Sequence, residues 1–302
     1  ATGFSTTFAA QLHGVKQPQI ITIFIALLLT AGTYFFVRTT PGKKAVPKAA
    51  EHGPNDGHDH GTETSITADT ILAMAKQQLS PEQVVRISTL ENSISRGDLK
   101  DQQIHVYHQL AKFWADSARI FEPWAWYTAE AARLENSEKS LTFAAQQFLD
   151  NLQADEVPER RKWKALQAKD LFERSLKINP ANDSATIGLG GAYLFGGISA
   201  TPMEGILKIR EVAEKDSTNL YAQMMLGKGS LLSGQYDKAL DRFLRVARMD
   251  PKNLDACLLI GEVYERTGDK AKAISWYQQS LPLTKQEAVA EAIRQRIAEL
   301  KK

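Results

Sequence analysis

The feature that most constrains this chain is a pattern that returns after 34 residues in its C-terminal half. Leu226-Gly227, Gly234, Ala239 and Phe243 come back as Ile260-Gly261, Gly268, Ala273 and Tyr277. Tyr236, Ala247 and Pro251 mark the first copy, 220–253, and Tyr264 the second, 254–284. A period of this length is one pair of helices, too small to bury its own apolar face. Such units are stable only when stacked, so the pattern predicts an all-α solenoid. The glycine beside each apolar residue lets two helices approach, and the glycine before each second helix permits a left-handed turn. Gly-Gln-Tyr-Asp-Lys-Ala over 234–239 and Gly-Asp-Lys-Ala-Lys-Ala over 268–273 share one register, which argues against fortuitous spacing in a bundle.

Earlier copies are more degenerate. Pro180-Ala181-Asn182 stands where Pro251-Lys252-Asn253 does, and Leu189-Gly190 with Tyr193 repeats the first-helix signature. Gly196 and Gly197 open a longer loop ending in Thr201-Pro202, read as an N-cap followed by a proline at the first helical position. Ile206, Ile209 and Val212 supply the buried face of the next helix. These features give repeats over about 101–136, 137–182, 183–219, 220–253 and 254–284, with 285–302 as a polar capping helix. The charged stretch 153–161, carrying Pro158, reads as an enlarged inter-helix loop. Before the repeats, 68–100 reads as a lead-in helical pair with stripes at Ile71, Leu72, Met74, Ala75 and at Val84, Val85, Ile87, Leu90.

The 34-residue period, with its small residues at crossings and aromatics between them, resembles the tetratricopeptide repeat superfamily. The Gln-Gln-Ile-His-Val-Tyr stretch at 102–107 and Leu-Glu-Asn-Ser-Glu-Lys-Ser-Leu-Thr-Phe at 134–143 look like membrane-anchored repeat proteins of the Bacteroidetes type. The resemblance implies a non-enzymatic scaffold whose concave face, lined by first-helix side chains, receives a peptide or helix of another protein. Carried onto this chain, those positions are Ser184, Ile187, Gly191 and Leu194, then Tyr221, Met224, Lys228 and Leu231, then Asp255, Leu258, Glu262 and Glu265. The family's peptide-carboxylate clamp needs Lys, Asn and Arg at several of these places. Only Lys228 is basic here, so the face suits an amphipathic partner with a basic end.

Outside the repeats, 20–37 is an uncharged apolar run of 18 residues between Pro18 and Arg38. As a helix it measures about 27 Å, the thickness of a bilayer core, so one transmembrane helix behind a short tail, 1–19, is expected. The lipid bilayer is thus one partner. Lys16 precedes the run, whereas Arg38, Lys43, Lys44 and Lys48 follow it, and this charge bias favours cytoplasmic repeats at a bacterial inner membrane. Similar bacterial single-anchor repeat proteins instead hold their repeats in the periplasm, and that alternative stays open. Between anchor and repeats, 38–67 is Pro, Gly, Ala, His and charge, the composition of a flexible tether.

Composition closes several other doors. The net charge of +2 gives no field for nucleic acid. No phosphate-cradling Gly-Lys-Ser/Thr loop, Gly-x-Ser-x-Gly elbow or His-Glu-x-x-His helix is present, so no catalytic residue, cofactor or small-molecule substrate is expected. The lone Cys257 sits on an apolar helix face and reads as a small buried hydrophobe. His52, His58 and His60 in the tether could take a metal, which would make the chain a metal-responsive sensor, but a glycine-rich segment has no second shell to hold the rings. His105 and His108, three apart on a helix, lack a third ligand. The basic run Arg160, Arg161, Lys162 and Lys164 reads as a solvated loop and helix end. Trp114, Trp124, Trp126 and Tyr127 are dense enough to form either core or a partner-binding aromatic patch, and self-assembly through that patch or the solenoid ends is a further reading.

Overall fold

A computed structural model of the chain describes residues 66–94, 99–198 and 202–302. The expected transmembrane run 20–37, the tether with His52, His58 and His60, and Thr201 lie outside the described residues. Among those described, no helix is long and apolar enough to cross a membrane.

The described residues hold thirteen α-helices and no strand. Helices α1 (Ala68–Lys76) and α2 (Pro81–Ile94) precede five hairpins. These are α3 (Lys100–Lys112) with α4 (Phe121–Glu135), α5 (Glu138–Leu152) with α6 (Pro158–Ile178), α7 (Asp183–Phe195) with α8 (Met203–Lys215), α9 (Leu220–Leu232) with α10 (Tyr236–Met249), and α11 (Leu254–Arg266) with α12 (Lys270–Ser280). Helix α13 (Glu287–Leu300) packs on α12 and closes the stack. Each hairpin packs its second helix on the first helix of the next, the nearest-neighbour arrangement of a solenoid.

Two local devices set the repeat. The first is the turn between hairpins. Asn182, Asn219 and Asn253 cap α7, α9 and α11, accepting hydrogen bonds from the N–H groups of Ala185, Ala222 and Ala256 at 2.9, 3.0 and 3.0 Å. Each cap satisfies a donor that the first helical turn leaves orphaned. Three residues earlier, Asn179, Asp216 and Asp250 accept from the N–H two positions on, at 3.1, 2.9 and 3.2 Å. These Asx turns bend the chain into the cap.

The second device is an aromatic ring seated on a glycine. A Cβ on Gly227 would lie 2.4 Å from the Phe243 ring, and one on Gly261 2.5 Å from the Tyr277 ring. Phe243 is fully buried, which stabilises the hairpin by about 1.5–3 kcal/mol. The third hairpin solves the crossing differently. There Gly190 faces Gly205, whose added Cβ would meet the Gly190 carbonyl oxygen at 2.3 Å, so two backbones touch where the others use a ring. Gly234 and Gly268 turn each late hairpin at φ of +71° and +84°, a conformation costly for any residue with a Cβ.

Several expectations need correction. The region 153–161 is not all loop, because Pro158 opens α6 at its first position, where its missing N–H costs nothing. The basic run following it is not a solvated helix end. Lys164 is only 2% exposed, and its ammonium donates to Asp155 Oδ2 and Asn151 Oδ1, both at 2.6 Å, and pairs with Glu122 of α4 at 2.8 Å. Arg160 forks onto the same Asp155 carboxylate at 2.5 and 2.8 Å. In the lead-in pair, Ile71, Ala75 and Ile87 are buried, but Met74, Val84 and Val85 are exposed. A π-helical turn, Phe113–Ala118, ends α3, and Arg119 then reverses the chain at φ 56°. Trp114 in that turn is fully buried.

Candidate functional site

The first helices α5, α9 and α11 line a groove made of two adjoining clefts of about 360 and 650 Å³. Both clefts share Gln153, Lys228 and Asp255. The smaller runs past Asp150, Tyr221 and Met224. The larger has an apolar wall of Leu231, Leu232, Leu258 and Leu259, with Arg161, Glu262 and Arg266 at its edges. Leu232 is 67% exposed and stands beside the three other leucines, so the wall is a contiguous apolar patch.

Of the groove positions expected from the sequence, Tyr221, Met224, Lys228, Leu231, Asp255, Leu258 and Glu262 come together here. Helix α7 contributes little. Ile187, Gly191 and Leu194 are buried, and Ser184 is exposed at the helix start. The physical reason is the thinness of α7. Gly191 leaves room for Met225 of α9 and Leu149 of α5, which would lie 2.3 and 3.2 Å from a Cβ there. Helix α9 therefore closes over α7 far enough for the Tyr221 hydroxyl to donate to Gln146 of α5 at 3.0 Å. Leu194 instead packs against Gly229 on the other side of α9.

The charge pattern also departs from expectation. Glu265 is not a free groove acid: it accepts from Arg296 of α13 and from Tyr277 at 3.2 Å. The Arg296 hydrogen bonds hold the Glu265 carboxyl below its ordinary value. Glu262 is paired with Arg266 at 2.8 Å. Burial pushes the Asp150 carboxyl up and Asp255 adds to this, while the Gln146 hydrogen bond and Lys228 pull it down. Burial raises the Tyr221 hydroxyl to about 12, so it remains a neutral donor. Two of the expected acids, Glu262 and Glu265, are thus already paired, and Asp150 and Asp255 are the carboxylates left beside Lys228. The groove offers an apolar ledge with Lys228 between two carboxylates.

The aromatic residues form no open patch as a set. Trp114 and Tyr127 are buried, and Tyr127 donates to Glu91 at 2.8 Å, tying α2 to the first hairpin. Trp124 and Trp126 are half-buried, and Trp126 receives the Arg133 guanidinium at 5.4 Å. Cys257 is buried, and burial raises its thiol. His108 pairs with Glu135 at 2.8 Å and His105 bonds Gln109 at 2.8 Å. Among the described residues no group of His, Cys, Asp and Glu could hold a metal.

Residues 222–288, covering α9 to the start of α13, match the tetratricopeptide repeat family. This segment carries tetratricopeptide repeats. A tetratricopeptide repeat protein from Parabacteroides merdae superposes with a TM-score of 0.51 at 12% identity, over 78% of this chain and 86% of its own. TTC0263, a thermophilic tetratricopeptide protein of Thermus thermophilus, gives 0.49 at 13% identity over 67% and 98%. YrrB, described as having an unusual peptide-binding site, gives 0.38 at 18% identity over 68% and 97%. No curated protein matches the chain.

Proposed function

We propose that this tetratricopeptide protein is a non-enzymatic adaptor that holds a peptide or amphipathic helix of a partner protein in the groove of α5, α9 and α11. The observation that carries this reading is the ledge of Leu231, Leu232, Leu258 and Leu259, open to solvent beside Lys228 and Asp255. An apolar face laid on this ledge removes its area from water, and the flanking charges fix register. A photo-crosslinking residue at Leu232 is expected to give a discrete protein adduct, and one at the exposed Glu291 of α13 is not. Leu232→Asp should weaken capture of that partner about tenfold or more, because burying a carboxylate against apolar surface is costly. The substituted side chain is already exposed, so the fold survives. Equal labelling from both positions would sink the groove reading.

The same reading places the adaptor at a bacterial inner membrane through 20–37. Its support is the uncharged apolar run, and the charges at Arg38, Lys43, Lys44 and Lys48 favour cytoplasmic repeats. With phosphatase and fluorescent reporters fused separately to the C-terminus in a bacterial host, fluorescence without phosphatase activity is expected. Phosphatase activity alone would put the groove, and its partner, on the opposite side.

A further inference from the structure

On the side of α9 away from the groove, a second cleft of about 700 Å³ opens between α8 and α10. Along α9 the two sets of lining residues lie roughly half a helical turn apart, so an occupant of one leaves the other free. The floor of this cleft is apolar, made by Leu194, Leu226 and Ile206. Its walls carry three guanidiniums, Arg210 from α8 and Arg242 and Arg245 from α10.

Arg242 is held in place by a built contact. Gln223 is buried, its amide nitrogen donates to the Ser217 carbonyl at 3.1 Å, and its amide oxygen therefore faces Arg242, which donates to it at 2.8 Å. That neutral partner orients the fork without matching its charge and leaves most of its N–H donors to the cleft. Burial, then Arg245 and Arg210, push the Arg242 guanidinium below its ordinary value, with Asp241 opposing. Carboxylates do line the cleft, at Glu214, Asp237 and Asp241, but all three are exposed. The ion pair within the cleft is Arg245 with Asp241 at 4.0 Å, the limit of such a contact. Like charges gathered over an apolar floor form an arrangement that a carboxylate ligand relieves.

We infer that this cleft is a second docking site, for an acidic peptide segment whose carboxylates meet Arg210 and Arg242 while an apolar side chain rests on Leu226 and Ile206. The exposed acids beside the arginines disfavour a continuous polyanion such as nucleic acid and suit discrete carboxylates. The site is separate from the groove, so the two stand or fall independently.

The test is fluorescence anisotropy on the full chain with a fluorescein-labelled Glu/Leu peptide, its Lys/Leu counterpart and a labelled oligothymidylate. The Glu/Leu peptide should bind tightest, and added salt should weaken it. Arg210→Gln combined with Arg242→Gln should reduce its affinity about tenfold or more, since hydrogen bonds to charged groups are the strong ones. Arg210→Gln alone should produce part of that loss, and because Arg210 is exposed the fold does not depend on it. Leu232→Asp, in the groove, should leave the affinity unchanged. A Lys/Leu peptide binding as well, no effect of Arg210→Gln, or preference for the oligothymidylate would each overturn the inference.

Discussion

Replacing Asp155 with alanine is expected to cost the fold about 3–5 kcal/mol, because it strips the shared acceptor from a buried ionic cluster. Asp155 accepts from Arg160 twice, from Lys164 and from the N–H of Val157 at 3.0 Å. Its loss leaves the Lys164 ammonium, 2% exposed, with only Glu122 and Asn151. The double variant Asp155→Ala/Lys164→Met should be more stable than Asp155→Ala alone, since an apolar side chain replaces the stranded charge. The cluster also carries a pH signature. Burial alone would raise the Asp155 carboxyl, but the hydrogen bonds from Arg160, Lys164 and Val157 outweigh it and hold it at about 2. The folded value lies below the unfolded one, so this stability is full above about pH 4–5 and is lost as pH falls toward 2. About 2–3 kcal/mol is at stake across that window, and Asp155→Ala should flatten it. Urea melts followed by circular dichroism at several pH values check all three statements. An Asp155→Ala variant within about 1 kcal/mol of the parent would show the cluster to be dispensable. The consequence reaches the groove, since the Asp155 carboxylate, through the Val157 N–H and Arg160, fixes the turn between Gln153 and Arg161 at its edge.

That cluster was not legible in the sequence, and the reason is physical. Arg160, Arg161, Lys162 and Lys164 look like any solvated basic run, because Glu122, the cross-hairpin partner of Lys164, lies on another hairpin. The repeat was legible because its signals are local and recur. Gly227 with Phe243 and Gly261 with Tyr277 sit at a constant spacing, and asparagine precedes each of α7, α9 and α11. The Asx residues Asn179, Asp216 and Asp250, three positions before each cap, recur just as regularly and could have been read from the same register. The groove was legible in α9 and α11 but not in α7. Register identifies which side of a helix faces inward, yet whether that side stays open depends on how neighbours close over it. Gly191 of α7 lets Met225 do so, and Tyr221 then reaches Gln146 of α5. Glu265 fails for the same kind of reason, since its partner Arg296 belongs to the capping helix.

Phe172→Ala should both destabilise the stack and divide it. The Phe172 ring is fully buried and fills the place of a side chain at Gly188, where an added Cβ would lie 2.2 Å away. It is therefore a peg between α6 and α7, the junction of the second and third hairpins. Truncating a buried phenylalanine costs about 3–5 kcal/mol, the lost burial plus the void left behind. In a stack stabilised by nearest-neighbour interfaces, weakening one junction uncouples the units on either side. Four of the five tryptophans, at 114, 124, 126 and 163, lie before this junction and only Trp276 after it. Tryptophan fluorescence then reports mainly the early hairpins, whereas circular dichroism reports the whole stack. The two probes should trace one urea transition in the parent and separate in Phe172→Ala, while Phe172→Leu loses less than half as much stability. Coincident transitions in the alanine variant would mean that the junction is not the weak point of the stack. The separation also bears on binding. Tyr221 of α9 bonds Gln146 of α5 across this junction, and the groove runs over both helices. Uncoupling the halves lets the two walls of the groove move apart, so the partner captured at Leu232 should be held more weakly by Phe172→Ala even though no residue it touches has changed.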